Sequence, residues 1–237
     1  MNKSIFISIA TYNEKENIEK LIRQIFVLGI SDLSIIIIDD NSPDGTALIV
    51  ENLKSEFQNL FLIKRSGKLG YGSAHIAGFK LAMSQEAEII ISMDADFSHD
   101  PGYLKGMIEN INSGFDVVVG SRKINQGKVV GWSLWRKFCS QGAMTLSKIL
   151  LGIRTKDLTS GYRAYNKKVF DKVDLDKIKS EGYSFLEELI YQLEKNNFMI
   201  KEVPIVFNDR RLGQSKLSRK EILNFFITIF KIKFGGR

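Results

Sequence analysis

Residues 33–46 read LSIIIIDDNSPDGT, and this stretch determines the fold class. The stretch Leu33–Ile38, apolar except for Ser34, predicts a fully buried strand, because a strand with one face in water would alternate polar and apolar residues. The turn residues of Asn41–Gly45 follow, and a helix is predicted from about Thr46 to Phe57. A buried strand that leads through a turn into a helix is the repeating unit of a parallel α/β sheet.

The same unit recurs through the first 120 residues. It predicts an α/β fold with a mainly parallel central sheet and helices on both faces, whose ligands bind beyond the carboxyl ends of the strands. Further strands are predicted at Ile5–Ala10, Leu60–Ile63, Glu88–Met93 and Phe115–Val119, and further helices from Ile18 to Phe26, near Ser73–Ser84 and from Leu104 to Ile111.

The second half is less regular, but three prolines and the lack of a low-complexity linker favour a single domain over residues 1–237. A loop is predicted at Lys123–Gly131, a helix near Ser133–Leu150, a short segment at Asp157–Tyr165, a helix near Ser184–Asn196, a strand near Ile200–Phe207, a loop at Asp209–Lys216 and a final helix at about 218–234.

Charge divides the chain into two halves. The net charge of +7 combines residues 1–120, with 10 basic and 16 acidic side chains, and residues 121–237, with 24 basic and 11 acidic side chains. Net charges of −6 and +13 indicate that the two halves face different partners. The basic half has no recognised nucleic-acid motif and no interleaved stacking aromatics, so we expect no nucleic-acid partner.

Several classes of protein are excluded. The single cysteine, Cys139, rules out a disulfide framework, and with only His75 and His99 as histidines, any metal should be held by carboxylates. The segment Gly70–His75 lacks the third glycine of a dinucleotide motif, and no P-loop is present. No apolar run is long enough to span a bilayer and the N-terminus does not resemble a signal peptide, so we expect a cytoplasmic protein, free or peripheral on the cytosolic face of a membrane.

Two acidic clusters end two of the predicted strands. Asp39 and Asp40 follow Leu33–Ile38, and Asp94-Ala95-Asp96 follows Glu88–Met93. Two carboxylates one residue apart can share Mg²⁺ or Mn²⁺ while leaving coordination positions for phosphate oxygens. The alternative is that these acids only cap the next helix or form turns.

Basic side chains that could bind phosphate lie in the second half. Arginine makes bidentate contacts to phosphate, and lysine adds a mobile point charge. Arg122 and Arg210 have the greatest weight because each lies in a loop just after a strand. The candidates are Arg122, Arg136, Arg163, Arg210, Arg211 and Lys216.

The final helix is apolar around most of its circumference. Between Glu221 and Phe234 the polar residues form a single stripe. Such a helix either packs within its own core or lies against a membrane or a partner protein, and the sequence leaves both possibilities open. Lys231, Lys233 and Arg237 would suit an anionic bilayer surface.

Three motifs resemble the family 2 inverting glycosyltransferases of the GT-A fold: Ala10–Glu14, Ile37–Thr46 and Met93–His99. Within that family the chain is similar to the dolichyl-phosphate (polyprenyl-phosphate) mannose synthases. That second resemblance extends over nearly the whole chain in the family's order. It is carried by Leu69–Ala74, Val119–Arg122, Gly131–Trp132, Leu158–Arg163 and Asp209–Leu217.

The resemblance implies transfer of mannose from GDP-mannose to a polyprenyl (dolichyl) monophosphate with Mg²⁺ or Mn²⁺. It implies that Asp94 and Asp96 bind the metal and that these two and Arg122 are catalytic. Residues 1–120 would then be the nucleotide and metal half, and residues 121–217 the acceptor half. The implied nucleotide-sugar contacts are Ala10, Thr11, Tyr12, Glu14, Ile37, Asp39, Asp94, Ala95, Asp96, Arg122, Arg210 and Lys216, and the acceptor-phosphate contacts are Arg136, Arg163 and Arg211.

The chemistry of the acceptor agrees with this set. A phosphate monoester has a second pKa of about 6, so at pH 7 it can attack a sugar without a strong protein base. Two alternatives stay open: the same fold using UDP-glucose or another nucleotide sugar on the same lipid, and a catalytically inactive nucleotide-binding partner subunit. We expect the last helix to contact the membrane surface or a small membrane subunit.

Overall fold

A seven-stranded sheet forms the centre of the protein, seen here in a computed structural model that describes residues 3–178, 180, 182, 184–208, 229 and 233. The strands are β1 Ile5–Thr11, β2 Leu33–Asp39, β3 Leu60–Lys64, β4 Ile89–Asp94, β5 Val117–Ser121, β6 Lys128–Val130, β7 Arg163–Asn166, β8 Ile200–Pro204 and β9 Val206–Asn208. The helices are α1 Ile18–Val27, α2 Thr46–Leu53, α3 Tyr71–Ser84, α4 Leu104–Asn112, α5 Leu134–Leu151 and α6 Ser184–Lys195.

The strand order is β3-β2-β1-β4-β7-β5-β8. Every neighbouring pair is parallel except the two that involve β7, which runs antiparallel to β4 and β5. The predicted mainly parallel sheet is therefore confirmed, with one reversed strand inside it. β6 and β9 form a separate parallel pair.

Helices cover both faces of the sheet, as predicted. Successive side chains of a strand point to opposite faces, so an apolar strand needs a covering layer on each side. Ile5, Ile7 and Ile9 of β1 join a core cluster with α1, α2 and α4, whereas Phe6 joins a second cluster with α3 and α6. Continuous isoleucine runs suit such strands because neither face reaches water.

Parallel strands bring their carboxyl ends to one edge of the sheet. Thr11 is paired with Asp39 across β1 and β2, and Ala10 is paired with Asp94 across β1 and β4. Arg122 directly follows the end of β5. The two predicted acidic clusters and this arginine therefore share one edge.

Two predictions for the second half need correction. The segment Asp157–Tyr165 contributes β7 to the main sheet, where it separates β4 from β5. The single strand predicted at Ile200–Phe207 is split after Pro204 into β8 of the main sheet and β9 beside β6. The change of partner occurs at Ile205, whose N–H donates to the Ser121 carbonyl oxygen and whose own carbonyl oxygen accepts from the Lys128 N–H.

The final helix predicted at 218–234 falls outside the described residues except for two positions. Ile229 is buried in the cluster that contains α3 and α6, and Lys233 is exposed. Among the described residues, no helix is long and apolar enough to cross a membrane.

Candidate active site

Asp39 holds together the loops that follow β1 and β2. It is buried, and its carboxylate accepts hydrogen bonds from Thr11 Oγ1 at 3.0 Å, Ser42 Oγ at 2.6 Å and the Ser42 N–H at 2.8 Å. Loop 12–15 is attached in turn, because Asn13 and Glu14 donate backbone N–H groups to Ser42 Oγ and Thr46 Oγ1. These contacts fix the segment that the resemblance assigns to the nucleotide.

Tyr12 and Asp40 bring the Gly67–Gly70 loop to the same edge. Lys68 Nζ lies 4.1 Å from the centroid of the Tyr12 ring, a cation–π contact. Asp40 accepts from Arg65 Nη1 at 2.5 Å and from the Gly70 N–H at 3.0 Å, in a mostly buried ion pair. The start of α3 is thereby fixed against the end of β2.

The loop after β4 carries the candidate metal ligands. Asp94 keeps about a quarter of its side-chain surface exposed, at 26%, whereas Asp96 is buried and accepts the Ser98 N–H at 3.1 Å. The loop closes on itself because the Asp94 N–H donates to His99 Nδ1 at 3.0 Å. Burial lowers the pKa of His99 despite the nearby carboxylates, which keeps the ring neutral and Nδ1 able to accept.

Tyr71 contacts Asp94 from the start of α3. Its hydroxyl donates to Asp94 Oδ1 at 3.2 Å. The close approach requires glycine at position 161, since a Cβ there would lie 2.3 Å from the Tyr71 oxygen and 3.4 Å from Asp94 Oδ1. Ser92 holds this glycine by donating to its carbonyl oxygen at 2.8 Å.

Arg122 is held in a buried bidentate ion pair with Asp157. Nε donates to Oδ2 at 2.8 Å and Nη2 to Oδ1 at 2.7 Å, and the Arg122 N–H also reaches Oδ2 at 2.8 Å. Nη2 donates in addition to Thr159 Oγ1 at 2.9 Å. Burial alone would raise the pKa of Asp157, but the guanidinium and its N–H groups outweigh burial and hold that pKa below its ordinary value.

Aromatic rings connect the Arg122 pair to the loop after β4. The Phe207 ring lies 5.1 Å from the Arg122 guanidinium carbon and packs edge-on against the His99 ring at 5.6 Å. His99 also stacks on Tyr162 at 5.0 Å. Phe207 thus contacts both the arginine of the basic half and the histidine that shapes the acidic loop.

Asp94 and Asp96, the predicted metal ligands, lie at the end of β4 and two residues beyond it. Within the described ranges, no group of three or more His, Cys, Asp or Glu side chains could hold an ion by itself. Asp94 and Asp96 are hard oxygen donors at the edge of the sheet. Mg²⁺ is commonly bound by one or two carboxylates together with substrate phosphates, so the donor set fits an ion of that kind.

The structure assembles part of the predicted site. Most of the predicted residues lie in loops or strand ends at the carboxyl edge of the sheet: Thr11, Tyr12, Glu14, Asp39, Asp94, Ala95, Asp96 and Arg122. Ala10 is the penultimate residue of β1. Arg210, Arg211 and Lys216 lie outside the described residues. Arg136 lies on α5, but its side chain is outside the described part.

Two predicted contacts are corrected. Arg163, expected to bind the acceptor phosphate, is fully buried and donates to the carbonyl oxygens of Ser160, Leu186 and Leu158 at 2.6–2.8 Å, so it holds the interior together. Ile37, expected to contact the nucleotide, has its side chain fully buried in the core.

The sequence prediction missed Asp157 and Tyr71 as parts of this site, and it placed Asp40 in an acidic cluster without its ion pair to Arg65. Asp157 lies 35 residues from Arg122 in the sequence, and Tyr71 lies 23 residues from Asp94. The available signal was weak: Asp157 precedes the Leu158–Arg163 motif, and Tyr71 lies inside the Leu69–Ala74 motif.

Comparison with known families matches residues 6–174 to glycosyl transferase family 2. Among curated proteins, the chain is 34% identical to "Polyprenol monophosphomannose synthase" of Mycolicibacterium smegmatis, over 98% of this chain and 87% of that protein. It is 35% identical to "Undecaprenyl-phosphate mannosyltransferase" of Micrococcus luteus, over 89% of this chain and 86% of that protein.

Solved structures with the same fold include glucosyl-3-phosphoglycerate synthase from Mycobacterium tuberculosis. Its complex with Mn²⁺, UDP and glucosyl-3-phosphoglycerate has a TM-score of 0.68 at 15% identity, covering 98% of this chain and 80% of that one. Its complex with Mg²⁺ and UDP has a TM-score of 0.69 at 16% identity, covering 98% and 79%. These neighbours confirm the predicted GT-A fold, and the family match shows that the chain belongs to glycosyl transferase family 2.

Proposed function

We propose that this chain is a metal-dependent, inverting mannosyltransferase that moves mannose from GDP-mannose to a polyprenyl (dolichyl) monophosphate. The observation that carries the proposal is the shared edge of the sheet, where the segment that bears Asp94 and Asp96 is linked to the buried Arg122–Asp157 pair through His99 and Phe207. The choice of mannose and a polyprenyl phosphate rests on the names of the two curated relatives.

Each half of the site has a separate role in this reaction. Asp94 and Asp96 would hold Mg²⁺ or Mn²⁺, which when bound neutralises charge on the donor diphosphate. Arg122 would bind a phosphate in a fixed orientation, because Asp157 holds the guanidinium plane. The acceptor phosphate is already mostly ionised at pH 7 and attacks the sugar carbon from the face opposite the leaving group, which inverts the anomeric centre.

The acidic and basic halves of the chain correspond to the two substrates. We propose that residues 1–120 hold the donor and the metal, that residues 121–217 hold the acceptor, and that Arg136, Arg210, Arg211 and Lys216 contribute to phosphate binding. Mutating a donor-side residue such as Asp39 should raise the KM for nucleotide sugar. Mutating an acceptor-side residue should raise the KM for lipid phosphate.

A donor panel tests the proposed reaction. The purified chain is incubated with Mg²⁺ or Mn²⁺, polyprenyl phosphate and either GDP-mannose, UDP-glucose or UDP-N-acetylglucosamine, and both nucleotide release and lipid product are measured. We expect the highest turnover with GDP-mannose. Turnover with only a UDP-sugar would support the related transferase, and metal-dependent nucleotide binding without turnover on any donor would support an inactive partner subunit.

Peripheral attachment to the cytosolic face of a membrane is a separate proposal. It rests on the apolar segment 222–234 and the lipid acceptor, with an anionic bilayer or a small membrane subunit as the partner. Lys233 is exposed, so Lys231→Glu/Lys233→Glu should weaken binding to vesicles that contain anionic lipid while the far-UV spectrum stays unchanged. Equal binding by the variant would exclude electrostatic attachment through this segment.

A further inference from the structure

We propose that Glu202 and Glu194 are positioning residues for Arg122 and that they act through Asp157. The proposal rests on the proposed function only in that Arg122 is taken to bind a substrate phosphate. Its structural basis is the segment Arg154–Asp157, which connects α5 to the turn before β7 and contains no helix or strand.

Two carboxylates bind four consecutive backbone N–H groups of this segment. Glu194 of α6 accepts from the N–H of Arg154 and of Thr155, both at 2.8 Å, and from Thr155 Oγ1 at 2.7 Å. Glu202 of β8 accepts from the N–H of Lys156 at 2.8 Å and of Asp157 at 3.0 Å. Both oxygens of each carboxylate are used, so each glutamate fixes two neighbouring peptide planes.

This arrangement fixes the backbone from which Asp157 reaches Arg122. An irregular segment with unbonded N–H groups would let the Asp157 carboxylate shift, and the bidentate pair with Arg122 would lose its geometry. Hydrogen bonds to an ionised acceptor are stronger than those between neutral groups, which is a physical reason for glutamate here. The chain of contacts runs from Glu202 to Asp157 to Arg122.

Sheet geometry adds to the effect of Glu202. Val119 of β5 is paired in register with Glu202 of β8, and Arg122 follows three residues after Val119. Glu202 therefore extends from β8, the neighbour of β5, and β5 leads directly to Arg122. By this contact Glu202 fixes Asp157 relative to the same sheet that carries Arg122. A guanidinium fixed before substrate arrives loses less conformational freedom when it binds a phosphate.

The test compares Glu202→Gln and Glu194→Gln with a matched control, Asp116→Asn. Glutamine keeps the size of the side chain but has only one oxygen acceptor, so one of the two N–H groups loses its partner. Asp116 is also a buried carboxylate that accepts a backbone N–H, from Met199 at 2.8 Å, but it lies before β5, at the end opposite Arg122.

The first readout is hydrogen exchange of the Arg122 Nε–H in ¹⁵N-labelled protein, assigned by its loss in Arg122→Lys. We expect Glu202→Gln to speed this exchange about ten-fold or more, Glu194→Gln to do so less, and Asp116→Asn to leave it unchanged. This readout needs no turnover, so it decides the inference even if the wild-type chain transfers no sugar. Failure of every donor would count against the proposed function alone.

The second readout is kinetic. Glu202→Gln should lower kcat/KM for lipid phosphate by about ten-fold and at most about a hundred-fold, with KM for the nucleotide sugar unchanged. In an Arg122→Lys background the same substitution should have no further effect on kcat/KM. If Glu202→Gln lowers the melting temperature as Asp116→Asn does but leaves Arg122 exchange and acceptor kinetics at wild-type values, the positioning role is wrong.

Discussion

The backbone N–H of Asp94 donates a hydrogen bond to Nδ1 of His99 at 3.0 Å, and this bond closes the loop that carries both candidate metal ligands. The His99 ring is buried between Tyr162 and Phe207, so it has little freedom to turn away. The positions of Asp94 and Asp96 therefore depend on a neutral histidine that need not touch the metal itself.

The first prediction concerns the shape of the His99 side chain. In His99→Asn the amide oxygen lies close to the original position of Nδ1 and can accept the same hydrogen bond, whereas in His99→Gln the oxygen is placed farther along the side chain. We expect His99→Gln to lose about ten-fold to a hundred-fold in metal-dependent activity, as is usual for groups that support metal ligands, and His99→Asn to lose less. Metal titrations of transfer rate measure both, and equal losses would contradict the assigned role of Nδ1.

A second prediction concerns Gly161 and Tyr71. Gly161→Ala would place a methyl group 2.3 Å from the Tyr71 oxygen, and we expect a loss of about 1–3 kcal/mol in the free energy of unfolding, as for other overpacked sites. Tyr71→Phe removes that oxygen at a cost of about 1 kcal/mol.

The double variant should recover much of the loss caused by Gly161→Ala, since the next ring atom, Tyr71 Cζ, lies at 3.5 Å. Urea unfolding of the four proteins gives the coupling energy. Additive losses would mean that the hydroxyl is not what excludes a side chain at position 161.

The third prediction concerns the metal. Asp96→Asn and Asp94→Asn should each reduce transfer by about a hundred-fold or more, because a bound metal supplies several kcal/mol of charge stabilisation. Each variant should also need more Mn²⁺ for half-maximal rate. Asp100→Asn serves as the control, since Asp100 is exposed and caps the short turn at Pro101–Tyr103. A wild-type rate that persists in excess chelator would refute metal dependence.

The fourth prediction concerns Glu187, which is fully buried on α6. Burial raises the pKa of Glu187 to about 8, and the charge of Arg163 of β7 and the nearby Ser147 of α5 only partly oppose this. Because the folded-state pKa lies above the ordinary value of 4.5, this group's contribution to stability is complete below about pH 4.5 and is lost as the pH rises through about 8.

The glutamine side chain of Glu187→Gln cannot ionise. The free energy of unfolding of this variant should therefore rise relative to that of the wild type as the pH increases from about 5 to 9. Each unit of pKa separation corresponds to about 1.4 kcal/mol in the free energy of unfolding. Chemical denaturation at several pH values gives the difference. A difference that does not change with pH would show that Glu187 ionises no differently in the folded and unfolded protein.

The sequence was most informative where structure is local. In the first half, every predicted strand and helix is present, with ends shifted by a few residues, because short apolar runs between turn residues, such as Leu33–Ile38, are typical of buried strands. The position of Asp39, Asp94 and Arg122 at the carboxyl edge followed from their places directly after predicted strands. The resemblance supplied the family, which residue patterns by themselves did not.

Contacts between distant segments were beyond the sequence prediction. β7 enters the sheet antiparallel between β4 and β5, and nothing local in Arg163–Asn166 specifies those neighbours. Arg163 was predicted to bind a phosphate because arginine makes bidentate contacts to phosphate, yet here three backbone carbonyls compensate its burial. The same limit applies to Asp157, whose role is defined only by its contact with Arg122.

The proposed mannosyltransferase activity is tested most directly by transfer of radiolabelled mannose from GDP-mannose to a polyprenyl phosphate, measured as label extracted into organic solvent. We expect metal-dependent labelling of the lipid by the wild-type chain and a loss of about a hundred-fold or more in Asp96→Asn. No labelled lipid from GDP-mannose with either Mg²⁺ or Mn²⁺, in a preparation that transfers another sugar, would contradict it.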